Sequence, residues 1–119
     1  MTDRNEERLL RMLGLCRRAG RLVTGSEQTC MAMAARKKPC LIVLASDASD
    51  ATARRIGRKC FYYQLPLLRL DAIGADALGH AVGRSGAIAA AAVRDENFAS
   101  EIIKLSGKDA SALQAETGV

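Results

Sequence analysis

Apolar residues follow two patterns along the chain: a helical spacing, which predicts helices, and short continuous runs, which predict buried strands. Over residues 4–19, Leu9, Leu13 and Cys16 fall on one face of a helix whose other face is largely basic, and Gly20 ends that helix. Inward-facing apolar residues at the same spacing predict helices over residues 49–60 and 96–105, and we expect two more helices over residues 25–36 and 76–82.

Polar residues mark the start of the second helix. Thr24 and Glu27 have the spacing of a capping box, and Ser26 is an alternative cap. Pro39 follows the basic end of the same helix. These signals predict a helix with a satisfied N-terminus and a sharp stop.

Three segments predict strands. The apolar run over residues 41–45 is short and rich in β-branched side chains, which is typical of a central strand buried on both faces. Residues 63–70 predict a strand that starts after Pro66, because proline cannot donate to a ladder. Residues 87–93 could be helical by propensity, but the glycines before them and polar residues after them favour a buried strand. The alternation of helices and strands predicts an α/β fold, a three-layer α-β-α sandwich with a small mixed sheet.

The composition bounds the core. With 119 residues, 49% of them hydrophobic, the chain can bury one core, so we expect a single domain over residues 1–105. Residues 106–119 have little to bury and predict a flexible C-terminal tail. Two Phe, two Tyr and no Trp leave the core to aliphatic side chains and argue against base stacking on an aromatic platform.

The formal charge of +5 is unevenly distributed. Residues 1–38 hold nine Lys or Arg against four Asp or Glu, residues 39–70 hold five against two, and the remainder holds four against seven. The positive field therefore belongs to the first part of the chain, which favours a polyanionic partner such as nucleic acid.

Cysteine usage and the N-terminus indicate the compartment. Cys16, Cys30, Cys40 and Cys60 lack the short paired spacing of zinc and redox motifs, so we expect reduced thiols, no metal and no cofactor. The N-terminal residues mix acidic and basic side chains without a following apolar segment, which is unlike a signal peptide. No apolar run approaches the ~18 residues of a membrane span. We expect a cytoplasmic protein with no membrane partner.

The most informative segment is residues 14–28, where three arginines and three glycines accompany the start of the second helix. A helix N-terminus beside arginines attracts phosphate, and the amide of Gln28 can both donate to and accept from a base edge. A second segment, residues 78–93, places a small-residue loop before the alanine-rich strand. Together the two segments predict an RNA-binding surface rather than an active site.

The chain resembles the kink-turn RNA-binding ribosomal-protein superfamily, and within it the small bacterial branch of the YlxQ type. The resemblance covers roughly residues 9–105 and depends on the order and spacing of several motifs. These are Leu13-Gly14-Leu15, RAGRLVTG over residues 18–25, LIVLASDAS over residues 41–49, Cys60 with Tyr62-Tyr63 and Pro66, LGHAVG over residues 78–83, and Asp95 with Phe98-Ala99. The resemblance implies an α-β-α sandwich that recognises a kink-turn, an RNA bend in which tandem sheared G·A pairs lie beside a bulge.

The resemblance also implies where the RNA lies. In the family the second helix enters the groove beside the G·A pairs, and a later loop covers the bulged nucleotides. The helix positions correspond to Gly25, Ser26, Glu27, Gln28 and Met31, with Arg17, Arg18 and Arg21 beside them, and the loop corresponds to Arg84, Ser85, Gly86, Ala87 and Ile88. Met31 departs from the family, which commonly has lysine there, and the loss of a cation would weaken RNA binding by about 1–3 kcal/mol.

Each of these signals also has a purely structural interpretation. The glycines could serve only to end or begin helices, and Glu27 only as a capping partner. The arginines could be solvent-exposed surface residues without a binding role. A second electrostatic contact is open on the helix of residues 49–60, where the candidates are Arg54, Arg55, Arg58 and Lys59. Residues 61–63 predict partial core packing at a strand entry rather than a stacking patch.

We therefore expect a noncatalytic RNA-binding protein that recognises a kinked, structured RNA and is ribosomal or ribosome-associated. Its partners would be ribosomal RNA or components of a ribonucleoprotein. The alternative is a protein-interaction adaptor of the translation or transcription machinery on the same fold. An enzyme that uses Cys60 or His80 is a weaker third hypothesis, since His80 is expected on a helix surface.

Overall fold

A four-stranded mixed sheet lies between two layers of helices in the computed structural model, which describes residues 4–108. The elements in chain order are α1 (Arg4–Arg18), β1 (Leu22–Thr24), α2 (Ser26–Ala34), β2 (Leu41–Leu44), α3 (Asp50–Tyr63), β3 (Leu67–Arg69), α4 (Ala75–Ala81), β4 (Ala90–Val93) and α5 (Glu96–Ser106).

The sheet has the strand order β1-β4-β2-β3. The strand β4 is antiparallel to both of its neighbours, with Ala91 opposite Thr24 on one side and Val43 on the other, whereas β2 and β3 are parallel. Every residue of β2 and β4 is buried, as the continuous apolar runs predict for strands covered on both faces.

Two apolar clusters separate the helices into layers. Side chains of α1, α4 and α5 pack on one face of the sheet, where Leu13, Leu78 and Ile102 are fully buried. Side chains of α2 and α3 pack on the other face, where Met33 and Ile56 are fully buried. The expected three-layer α-β-α sandwich with a small mixed sheet is confirmed.

The strand β1 was not predicted from the sequence, and two other strands are shorter than predicted. Leu22–Thr24 is a three-residue strand inside the segment that we expected to be a loop. The alanine-rich strand begins at Ala90 rather than at residue 87, and the strand after Pro66 is only Leu67–Arg69. The core packing predicted for residues 61–63 is wrong for Phe61 and Tyr62, which are 44% and 78% exposed, because α3 continues to Tyr63 and turns both side chains to solvent. Only Tyr63 packs partly against the core.

Side chains cap α3 and α5 but not α2. The Ser49 side chain accepts from the amide of Thr52, and the Asp95 side chain accepts from the amide of Phe98. The capping box expected ahead of α2 is wrong: its N-cap is Gly25, and no side chain caps it. The side chains of Thr24 and Glu27 bind arginines instead.

The C-terminal boundary lies later than expected. The helix α5 continues to Ser106, and Lys108 Nζ donates to the carbonyl of Arg69 at 2.6 Å, so residues 106–108 belong to the folded part. The rest of the expected tail, residues 109–119, lies outside the described residues. None of the helices within residues 4–108 is both long and apolar enough to cross a lipid bilayer.

The hydroxyl of Thr29 gives a direct test of the α2 packing. It is fully buried and has no hydrogen-bond partner among residues 4–108. An unsatisfied buried hydroxyl destabilises a fold, whereas an apolar isostere in the same space does not. We expect Thr29→Val to raise the free energy of unfolding by about 1 kcal/mol in urea denaturation.

Thr52→Val is the matched control, because the Thr52 hydroxyl accepts from Ser49 Oγ at 3.0 Å. Loss of that hydrogen bond should lower the free energy of unfolding by about 0.5 kcal/mol. If Thr29→Val lowered the free energy of unfolding as much as Thr52→Val or more, the Thr29 hydroxyl would have a hydrogen-bond partner, and this prediction would be wrong.

Candidate nucleic-acid interface

The N-terminus of α2 is held open by Gly25. Gly25 has a φ of 104°, which side chains rarely adopt, and its amide donates to the carbonyl of Ala90 in β4 at 2.9 Å. This geometry turns the chain from β1 into α2 without a side-chain cap. The amides of the first helical turn therefore remain available to an anionic group, and the helix dipole adds positive potential there.

Two arginines from distant parts of the chain converge beside this helix start. Arg17 Nη1 and Arg84 Nη1 both donate to Thr24 Oγ1, at 3.4 and 3.1 Å. Arg17 Nη1 also donates to the carbonyl of Val82 at 3.4 Å. The structure thus joins the two segments that the sequence singled out, since Thr24 immediately precedes Gly25 and Arg84 begins the loop of residues 84–88.

The loop of residues 84–88 is anchored at both ends and exposed between them. The amide of Arg84 donates to the carbonyl of Gly79 at 2.9 Å, and the amide of Ile88 donates to the carbonyl of Ala75 at 3.1 Å. Arg84, Ser85, Gly86 and Ala87 are exposed. Ile88 is only 3% exposed and packs in the core, so its side chain anchors the loop. The expectation that the Ile88 side chain contacts RNA at the surface is therefore wrong.

Gly79 in α4 sets the position of this loop by close approach. A Cβ at Gly79 would overlap the carbonyl oxygen of Gly86 and would lie 3.2 Å from the Cα of Ala87. Both obstacles are backbone atoms, which cannot rotate away as a side chain can. The loop can pack against α4 only because residue 79 has no side chain.

The exposed face of α2 carries Glu27, Gln28 and Met31, because Thr29, Cys30 and Met33 occupy its buried face. The Gln28 side chain folds back toward the helix start, where its Oε1 would lie 2.5 Å from a Cβ at Gly25. Met31 is 70% exposed. Ser26 is half-buried at the first position of α2 and does not cap it.

An ion pair ties Glu27 to α3. Arg55 Nη1 lies 2.7 Å from Glu27 Oε1, and Arg55 Nη2 lies 3.4 Å from Glu27 Oε2. The hydrogen bonds from Arg55 and its charge lower the pKa of Glu27, and Lys59 adds to the effect. This ion pair was not predicted from the sequence, since nothing in a spacing of 28 positions indicates which face of α3 meets α2.

Arg18 and Arg21 lie near this surface without joining the Arg17–Thr24–Arg84 cluster. Both side chains are exposed, Arg18 as the last residue of α1 and Arg21 just before β1. The backbone of Arg21 fixes the edge of the sheet, because its carbonyl accepts from the amide of Arg94 at 2.8 Å. The two side chains can therefore add positive field, but no hydrogen bond to another residue of the range 4–108 holds either of them in place.

The enzyme hypothesis finds no support at its two named residues. Cys60 is buried between α2 and α3, and that burial raises the pKa of its thiol to about 12, whereas a thiol nucleophile needs a lowered pKa. His80 is exposed on α4, in the helical layer on the other face of the sheet. Within residues 4–108, no group of three His, Cys, Asp or Glu side chains could hold a metal ion.

Comparison with known proteins gives a consistent set of relatives. The family model of the ribosomal protein L7Ae/L30e/S12e/Gadd45 family matches residues 7–103. A protein of Bacillus subtilis (strain 168) named RNA-binding protein YlxQ is 34% identical over 95 residues, which are 79% of this chain and 90% of the relative. The protein of the same name from Enterococcus faecium is 34% identical over 70 residues, 59% of this chain and 67% of the relative.

Solved structures resemble the fold over most of its length. A protein with unknown function from Bacillus halodurans C superimposes with a TM-score of 0.75 at 31% identity and covers 84% of this chain and 97% of its own. The Giardia lamblia 15.5kD RNA binding protein superimposes with a TM-score of 0.70 at 20% identity, over 95% of this chain and 92% of its own. At that identity the second likeness shows the fold alone.

The close approach at Gly79 predicts opposite outcomes for two glycine-to-alanine changes in helices. Gly79→Ala should lower the free energy of unfolding by about 2 kcal/mol or more, because the loop of residues 84–88 must move. Gly57→Ala, at a helical glycine whose Cβ would meet nothing within 4 Å, should raise it by about 0.5–1 kcal/mol. Urea denaturation of both variants measures the difference, and equal effects would refute the close approach.

Proposed function

The chain belongs to the ribosomal protein L7Ae/L30e/S12e/Gadd45 family, and from that premise we propose that it recognises a kinked, structured RNA without catalysing a reaction on it. One observation carries the proposal. The hydrogen bonds of Arg17 and Arg84 to Thr24 place the uncapped start of α2 and the exposed loop of residues 84–88 side by side.

The chemistry of this surface suits RNA. The first-turn amides of α2 and the guanidinium groups of Arg17 and Arg84 would bind phosphates. The Gln28 amide can donate to and accept from a base edge, as G·A pairs require. The loop of residues 84–88 exposes backbone at Gly86, which permits the close approach of a splayed nucleotide.

Glu27 and Met31 adapt the surface to its partner. Glu27 is a carboxylate on an otherwise basic face, and its pairing with Arg55 offsets its repulsion of phosphate while leaving an acceptor for the amino and imino groups of guanine. Met31 offers an apolar contact in place of a cation. We propose that recognition here relies more on shape and base edges than on a charge at position 31.

The finer assignments are also proposals. We propose that the RNA contains a kink-turn and belongs to a ribosomal or ribosome-associated particle in the cytoplasm. The four free cysteines fit a reducing compartment. The protein-interaction adaptor stays the second candidate because Met31, an apolar side chain 70% exposed, lies on the same exposed face of α2 as Glu27 and Gln28.

The test is a titration of the protein into a fluorescent kink-turn RNA and into a control RNA whose G·A pairs are replaced by Watson–Crick pairs, at two salt concentrations. We expect tighter binding to the kink-turn at both concentrations. Gln28→Ala should weaken that binding by about tenfold or more and leave the control RNA unaffected, because the lost contacts are to base edges.

Asn97→Ala is the matched control, since Asn97 is an exposed amide side chain on α5, in the layer on the other face of the sheet. It should bind both RNAs as the wild type does. If the wild type bound both RNAs equally and in a salt-sensitive way, the surface would be a basic patch that binds RNA without recognising the kink-turn. Absence of binding to either RNA would favour the adaptor.

A further inference from the structure

Four cations follow one another along α3, and the interface above uses them only where Arg55 and Lys59 act on Glu27. Their positions are i, i+1, i+4 and i+5 along two turns of the helix, opposite the buried residues Ile56 and Cys60. We call them the α3 strip: Arg54, Arg55, Arg58 and Lys59. Together with Ala51 they line an open groove of about 500 Å³.

The strip lies next to α2 and runs in the same direction. Near the helix starts, Arg55 contacts Glu27, and near the helix ends, Cys60 Sγ lies 3.8 Å from Met33 Sδ. Beyond them, the Lys38 ammonium lies 4.4 Å from the centre of the Tyr63 ring. Because these contacts follow in the same order along both helices, the first turns of α2 and α3 lie at the same end of the molecule.

The strip therefore continues the surface formed by the start of α2. Arg55 contacts Glu27 in the first turn of α2, and Lys59, one turn further along α3, also lowers the pKa of Glu27. Arg54 and Arg58 each precede one of these two residues on α3. A polyanion held at the N-terminus of α2 can therefore extend along α3 over a continuous positively charged surface.

The charges of the strip are poorly compensated within the protein. Arg55 pairs with Glu27, but Arg54, Arg58 and Lys59 form no ion pair with an acid among residues 4–108. Like charges one turn apart on a helix destabilise it slightly. A phosphate backbone would relieve that repulsion and release its own counterions.

We propose that the α3 strip binds the phosphate backbone of an RNA stem that flanks the kinked region held by α2 and the loop of residues 84–88. This inference rests on the proposed function and extends it. It assigns a second contact between protein and RNA, in which the strip binds phosphates and does not distinguish one base sequence from another. The strip adds affinity for RNA with long stems and contributes little to the preference for the kink.

The test compares a double variant of the strip with a charge-matched variant on the other face of the sheet. Arg54→Gln with Arg58→Gln removes two exposed cations and spares the Arg55–Glu27 pair. Arg8→Gln with Lys104→Gln removes two exposed cations from α1 and α5. Thermal unfolding establishes that both double variants fold.

Binding is measured by salt titration with two kink-turn RNAs, one with long stems and one with stems cut to the minimum. For the long RNA we expect the strip variant to bind about tenfold more weakly, with a plot of log K against log salt shallower by about two. Its affinity for the short RNA and its preference for G·A over Watson–Crick pairs should stay at the wild-type values. The charge-matched variant should bind both RNAs as the wild type does.

The outcomes separate this inference from the proposed function. If the wild type distinguishes the kink-turn and the strip variant loses no more than the charge-matched variant, only the strip assignment is wrong. If the strip variant loses affinity equally for the long and short RNAs, the strip does not bind a flanking stem. If the wild type shows no preference for the kink-turn, the proposed function fails, and the stem assignment fails with it.

Discussion

The burial of the adjacent strands β2 and β4 on both faces is the constraint on which the rest of this structure depends. Their eight side chains are all apolar and all buried, so each face of the sheet needs its own layer of helices. Three of the four residues of β4 are alanines, and small side chains let helices approach the sheet closely. The division into an α1, α4 and α5 layer and an α2 and α3 layer follows from this requirement.

The candidate interface is assembled around β4. The carbonyl of Ala90, the first residue of β4, holds the amide of Gly25 at the start of α2, and the loop of residues 84–88 leads directly into that strand. Close packing at Gly79 and the buried side chain of Ile88 hold the loop against the core. Arg17 and Arg84 both donate to Thr24, which joins the loop to the start of α2. Rigid elements thus position a surface formed by segments far apart in the chain.

The sequence predicts well what depends on local pattern. Helical spacing located α1, α3 and α5 within a few residues, terminal signals located α2, and the apolar run of residues 41–45 identified β2. The strand β1 was not predicted because Leu22–Thr24 is too short to show the alternation of a strand. It is a strand only through its pairing with β4. The capping box failed for the same kind of reason, since the tertiary fold gives Thr24 and Glu27 arginine partners.

The candidate site is predicted only in part because its connections are tertiary. The sequence indicates both segments, but the contact of Arg17 and Arg84 at one hydroxyl depends on the sheet order, and so does the pairing of Glu27 with Arg55. Ile88 shows the opposite error: the loop was located correctly, yet a single apolar residue within it is an anchor. Which residues of a loop face solvent depends on neighbours that a spacing argument does not include.

The most direct test of the account is an amide NMR titration of the protein with one equivalent of kink-turn RNA. The central claim predicts that the largest chemical-shift changes fall together on the Gly25–Gln28 amides and the Ser85–Ala87 amides. The amides of exposed α5 residues, such as Asn97 and Ser100, should change little, because α5 lies across the sheet from α2. Changes at only one of the two segments, or changes centred on α5, would contradict a single joined interface.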